Sequence, residues 1–173
     1  MKEADWSADF ACRDLLARYA SGADWIDESM FDGVFWDDAE IDFGAFQADK
    51  PTYVAMIMGY RDSYQRRWHH FGLPRITVSG QHAVMEATCL AHLRPAGADR
   101  CDEIYHGRYL FALEQRAGAW RIAKLTYLMS LSQSLPVQSA EPALRKAENL
   151  APGHPLFLLR GGPPAGLAQS HVP

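Results

Sequence analysis

One stretch, from Glu103 to Leu131, restricts what this chain can fold into more than any other. It holds two long runs rich in aromatic and branched residues, separated by Gln115-Arg116-Ala117-Gly118. That pattern predicts a β-hairpin, with Gly118 placed where a left-handed residue closes the turn. Tyr105, Tyr109, Phe111 and Leu113 share one face of the first strand; Leu125, Tyr127, Met129 and Leu131 share one face of the second. A two-stranded ribbon cannot bury so much apolar surface alone, so further strands and helices must cover it. The hairpin is therefore expected at the centre of a curved sheet.

A length of 173 residues suits one domain with a single core, and 48% hydrophobic with 22% charged residues is ordinary for a soluble globular protein. The formal charge of -4 argues against a nucleic-acid partner. The apolar runs are too short to span a membrane, and Met1-Lys2-Glu3-Ala4-Asp5 lacks a signal-peptide pattern. Cys12, Cys89 and Cys101 are odd in number and widely spaced, which fits reduced thiols in a cytoplasmic protein.

Along the chain, Cys12, Leu15, Leu16, Tyr19, Ala20 and Ala23 predict a first helix over 6–23, with Asp24 just past its end. A short second helix is expected over 28–35, then a turn and a short strand by Gly44. Pro51 can start a third helix, whose apolar positions Tyr53, Met56, Ile57, Tyr60 and Tyr64 carry it to Arg66-Arg67. Strands are predicted over 75–78 and 83–94, joined by Ser79-Gly80-Gln81, before the long hairpin. Prolines concentrate from Pro136 onward, so residues 1–135 are read as the domain. Residues 136–173 are read as an extension that packs on the core or on a neighbouring subunit, with a helical turn at 145–148. The fold class is α+β: a cone-shaped, curved antiparallel (mixed) sheet against three N-terminal helices, enclosing an apolar pocket.

At this point the chain resembles the SnoaL-like branch of the nuclear transport factor 2-like superfamily, which includes scytalone dehydratase, bile-acid dehydratases and hexachlorocyclohexane dehydrochlorinase. The matching stretches are Arg18–Asp24, Phe35–Glu40, His69-His70-Phe71-Gly72, Gly107-Arg108-Tyr109 and Gly118–Leu125. Their order and spacing carry the likeness; the scaffold itself hosts many functions.

Elimination of water or halide needs a base that removes a proton from carbon. A neutral imidazole serves if a carboxylate holds its other N–H and stabilises the imidazolium. The resemblance implies Asp24 as the orienting carboxylate and His70 as the base, with His69 pointing to the opposite face of its strand. Read alone, an Asp after a helix is most often a solvated turn residue, and a His at a strand entry a structural one. His92 resembles the second histidine of scytalone dehydratase, though an outward face fits it better. Tyr19 and Tyr53 are candidate hydrogen-bond donors or core. Arg108 is a candidate anion ligand or the partner of a neighbouring acid. Trp36, Phe71, Tyr109, Phe111, Leu125 and Met129 are candidate pocket walls. Related proteins often carry an acid where this chain has Phe111, and its absence favours an apolar substrate.

No His-x-His or His-Glu-x-x-His spacing, phosphate-binding glycine loop or Gly-x-Ser-x-Gly elbow occurs, so neither a metal nor a cofactor is expected. The expectation is a cofactor-independent lyase acting on a small apolar or cyclic substrate. The alternatives are an isomerase or polyketide cyclase, or a non-catalytic subunit like the small subunit of ring-hydroxylating dioxygenases. A homo-oligomer is expected, a trimer ahead of a dimer.

Overall fold

The computed structural model describes residues 6–97, 101–137 and 159. Helix α1 (Trp6–Trp25) buries the predicted face, including Cys12, Leu15, Leu16, Tyr19 and Ala23. Its end is set by Ile26, whose φ of 49° is left-handed. The Asp27 N–H closes back onto the Gly22 carbonyl at 3.1 Å, the hydrogen bond of a Schellman stop. A β-branched residue seldom adopts that conformation. Here burial of the side chain fixes it, and Arg61 Nη2 donates to the Ile26 carbonyl at 2.8 Å. This turn follows Asp24 immediately, so the position of that carboxylate is built into the helix end.

The predicted second helix shrinks to one 3-10 turn, Glu28–Phe31, capped by Asp27. Gly33 at φ 70° breaks it, and Phe35 already opens strand β1 (Phe35–Asp42). After β2 (Gln47–Asp49) comes α2 (Lys50–Gly59), which has Asp49 as its N-cap and Pro51 in its first turn. This helix stops well short of Arg66-Arg67, and β3 runs over Tyr64–Phe71. The reason is a coincidence of periods. Tyr60 and Tyr64 lie at helical spacing and their rings do meet, 5.5 Å apart. They meet across the polar turn Arg61-Asp62-Ser63, however, and not along one helix. Among the described residues there are thus two α-helices where three N-terminal ones were expected.

Strands β4 (Arg75–Ser79), β5 (His82–Pro95), β6 (Cys101–Arg116) and β7 (Ala119–Pro136) follow. The hairpin turn is as predicted, with left-handed Ala117 (φ 51°) and Gly118 (φ 82°), the two-residue turn whose twist matches the strands. The seven strands form one open curled sheet in the order β2-β1-β7-β6-β5-β3, with β4 also paired to β5. Among the described strands only the β1–β7 pair is parallel. Strands β3 and β4 share the same edge of β5, and Gly72-Leu73-Pro74 forms the break between them.

The core lies between α1, α2 and the inner face of the sheet, where Phe35, Ile41, Tyr53, Met85, Phe111, Leu113, Ile122 and Leu125 are fully covered. Met129 and Leu131 are exposed, against the hairpin alternation. A register shift opposite His106/Gly107 turns them, and among the described strands the end of β7 pairs with β6 alone. No helix of the described residues is long and apolar enough to cross a membrane. The helical turn expected at 145–148 lies outside the described residues, as does nearly all of the C-terminal extension.

Candidate active site

The last turn of α1 and the middle of β3 bring together a carboxylate and an imidazole 45 positions apart. Asp24 Oδ1 lies 2.5 Å from His69 Nδ1, and Asp24 Oδ2 accepts the backbone N–H of the same histidine at 3.0 Å. Both side chains are largely withdrawn from solvent, His69 at 8% exposure and Asp24 at 14%. With Nδ1 engaged, the ring is fixed in orientation, and Nε2 has no hydrogen-bond partner among the described residues.

The imidazole that meets Asp24 therefore belongs to His69, and His70 is exposed on the other face of β3. Alternation along the strand decides this: Arg67, His69 and Phe71 turn inward, while Trp68 and His70 turn outward with their rings 5.7 Å apart. His69 and Phe71 stack on the inner face, nearly parallel at 6.3 Å. Beside them is an open groove of about 360 Å³, lined by Arg13, Leu16, Ala17 and Ala20 of α1 and by His69, Phe71, Gly72, Leu73 and Pro74. Sequence reasoning missed the Leu73-Pro74 wall, because nothing in a three-residue break announces which groove it borders.

Buried neighbours set the electrostatics. Tyr19 and Tyr53 share a hydroxyl–hydroxyl hydrogen bond of 2.7 Å. Burial pushes the Tyr19 and Tyr109 hydroxyls well above the ordinary tyrosine range and that of Tyr53 to about 12, so all three remain neutral donors. Burial, reinforced by the Asp24 charge, raises the Cys89 thiol to about 12. Cys89 is thus an uncharged filler behind Asp24 and no thiolate nucleophile.

The other sequence candidates sort by location. Phe71, Tyr109 and Phe111 do gather around Tyr19, with ring centroids at 6.2, 5.8 and 6.0 Å. Leu125 is buried in the core. Trp36 is not part of this cluster. Its inward neighbour Phe35 packs on Tyr19, while Trp36 lies between the guanidinium groups of Arg116 and Arg121 and donates to the Glu114 carbonyl. His92 stands on the outward-alternating register and bonds Asp102 through Nε2 at 3.0 Å. Arg108 is exposed and paired with Glu86 on the adjacent strand. Met129 is 59% exposed and walls no pocket near the pair.

Two helices packed on an open curled sheet, together with a sequence that matches the SnoaL-like domain, make this a protein of the nuclear transport factor 2-like class. Within it, the chain belongs to the SnoaL-like domain family, whose profile matches residues 6–126. Among solved structures it is similar to a type 2 hexachlorocyclohexane dehydrochlorinase (LinA), with 21% identity and a TM-score of 0.71 over 80% of this chain and 96% of that one. It is also similar to a putative scytalone dehydratase from Novosphingobium aromaticivorans, with 19% identity and a TM-score of 0.70 over 84% and 99%. A third likeness is to a putative aromatic ring hydroxylase from the same organism, with 17% identity and a TM-score of 0.67 over 76% and 96%. No curated protein matches the sequence.

Proposed function

We propose that the protein is a cofactor-independent lyase that eliminates water or halide from a small, mostly apolar cyclic substrate, with His69 as base and Asp24 as its orienting carboxylate. The observation that carries this reading is the doubly anchored Asp24–His69 pair beside an apolar groove. Nε2 of the neutral imidazole takes a proton from a substrate carbon. The C–H electron pair becomes the new C=C bond, and the leaving group departs with its own electron pair. A departing hydroxide recovers the proton from the imidazolium and leaves as water; a departing halide leaves the proton to pass to solvent. Asp24 stabilises the transient imidazolium and prevents the ring from rotating. Dehydrochlorinase and dehydratase names among the structural neighbours support this class of chemistry.

An isomerase would use the same proton abstraction and return the proton to another carbon. A screen of cyclic β-hydroxy and β-halo compounds separates the two, following new unsaturation in the ultraviolet together with release of halide or water. Turnover in the wild type that disappears in His69→Ala is the expected result; equal turnover in both rejects the proposal.

Association into a homo-oligomer is supported by Leu128, Met129, Leu131 and Leu135, which all stand between 47% and 59% exposed on the end of β7, and a trimer is proposed ahead of a dimer. Light scattering on a size-exclusion column gives the subunit number. A cytoplasmic location is consistent with three free cysteines, two of them buried.

A further inference from the structure

We infer that Arg67 is an anion anchor next to this site, on the same strand face as His69 but not among the residues that line the groove, holding a carboxylate or enolate oxygen of the substrate while His69 acts on the adjacent carbon. The inference rests on the lyase reading for the role of His69, but the anion site itself does not. Arg67 lies two residues before His69 on β3 and alternates onto the same inner face. It is only 7% exposed, one of two buried charged residues among the described residues. Its Nε and Nη1 are buried and have no hydrogen-bond partner among the described residues. The rings of Tyr60 and Tyr64 approach the guanidinium at 5.2 and 5.6 Å, which favours the cation but takes up none of its in-plane donors.

Other arginines of the chain behave differently. Arg13, Arg94, Arg108 and Arg116 each bond a carboxylate. Arg67 bonds none among the described residues, although burial makes an unanswered charge costly. Its charge is felt at the Tyr53 hydroxyl, which joins it to the Tyr19–Tyr53 pair in the interior. Side chains two apart on a strand face stand ~7 Å from one another. A base-to-carbon contact, one C–C–O unit and one hydrogen bond span a distance of the same order. An oxygen held by Arg67 would therefore place its α-carbon toward His69, and the guanidinium would stabilise the negative charge that develops there as the proton leaves. The substrate class becomes sharper: an apolar or cyclic body carrying one carboxylate or ketone oxygen next to the carbon that is deprotonated.

Binding of benzoate, with benzamide as its neutral isostere, tests the anchor independently of turnover. Wild-type protein should bind benzoate about tenfold or more tighter than benzamide. Arg67→Met should erase that preference while remaining folded by circular dichroism, and Arg67→Lys should restore part of it. His69→Ala should leave benzoate binding in place even though turnover is lost. Equal binding of benzoate and benzamide by the wild type, or an unchanged preference in Arg67→Met, overturns the anchor while the lyase reading stands. Should Arg67→Met fail to fold, the wild-type comparison and Arg67→Lys decide the matter. Conversely, benzoate binding that depends on Arg67 in a protein whose turnover ignores His69 removes the lyase reading and leaves the anion site.

Discussion

Asp24 grips His69 at two points, one carboxylate oxygen on the ring nitrogen and the other on the backbone N–H of the same residue. A single ring contact would fix the tautomer alone; the second contact also fixes where β3 passes the end of α1. His69→Ala should lower kcat/KM by about 10²- to 10⁴-fold, the usual contribution of a positioned base. Asp24→Asn should cost a comparable amount, because an amide cannot stabilise the imidazolium and offers its own N–H to Nδ1. His70→Ala, on the opposite strand face, should stay close to wild type. Steady-state kinetics on any substrate found in the screen checks all three, and a large loss in His70→Ala together with an active His69→Ala would reverse the assignment.

The Tyr19–Tyr53 hydroxyl pair makes a second prediction, this one about stability. Each phenol is fully buried, so Tyr19→Phe leaves the Tyr53 oxygen without its partner and should cost about 1–3 kcal/mol. Removing both hydroxyls leaves no orphaned member of that pair. The double variant should therefore lose less than the sum of the single losses, and urea unfolding in a double-mutant cycle measures the coupling. Additive losses would mean the two hydroxyls do not depend on each other.

Much of this architecture can be read along the chain because burial on one face leaves a period. The α1 stripe, the 79–81 turn and the 115–118 hairpin were legible for that reason. The region 60–71 was not. Tyr60, Tyr64 and Arg67 satisfy a helical period and Arg67, His69 and Phe71 a strand period, and only the tertiary packing decides where one gives way to the other. The same ambiguity hid which histidine faces Asp24. Asp24 itself was legible as the residue after a helical stripe, whereas nothing local marks Arg67, whose guanidinium lies over the rings of Tyr60 and Tyr64. Met129 was misread for a related reason, an irregularity in β6–β7 pairing that shifts which side of the sheet a residue occupies, whereas Trp36 stands outward by simple alternation with Phe35.

Gly107 sits at that irregularity. A Cβ there would lie 2.5 Å from the Tyr127 ring and 2.6 Å from the Leu128 carbonyl oxygen. The carbonyl belongs to the paired strand and cannot rotate away as a side chain tip could. Gly107→Ala should therefore destabilise the fold by about 1–3 kcal/mol through forced displacement of the β6–β7 pair. A fall in the urea midpoint with an unchanged slope is the expected signature; an unchanged midpoint would show that the strands absorb the methyl group freely.

The sheet end away from the groove gives a pH-dependent prediction. Asp102 accepts from Arg94 Nε at 2.5 Å and Nη2 at 2.6 Å, and His92 adds a third contact. The Arg94 hydrogen bonds, with a smaller share from His92, hold the Asp102 carboxyl below its ordinary value against the opposing effect of burial. A carboxyl that titrates lower in the folded state than in the unfolded chain stabilises the fold fully above the ordinary carboxylate range, near ~3.9. That contribution disappears as pH falls through the lower folded value. Asp102→Asn should therefore be less stable than wild type by about 1.5–3 kcal/mol at neutral pH, the range for hydrogen bonds to a charged group. The gap should narrow below pH ~4, where the wild-type carboxyl begins to protonate in the unfolded chain. Chemical unfolding of both proteins across pH 2 to 7 follows the difference directly, and a gap that stays constant over that range would mean the ion pairs at this end contribute nothing that depends on the charge of Asp102.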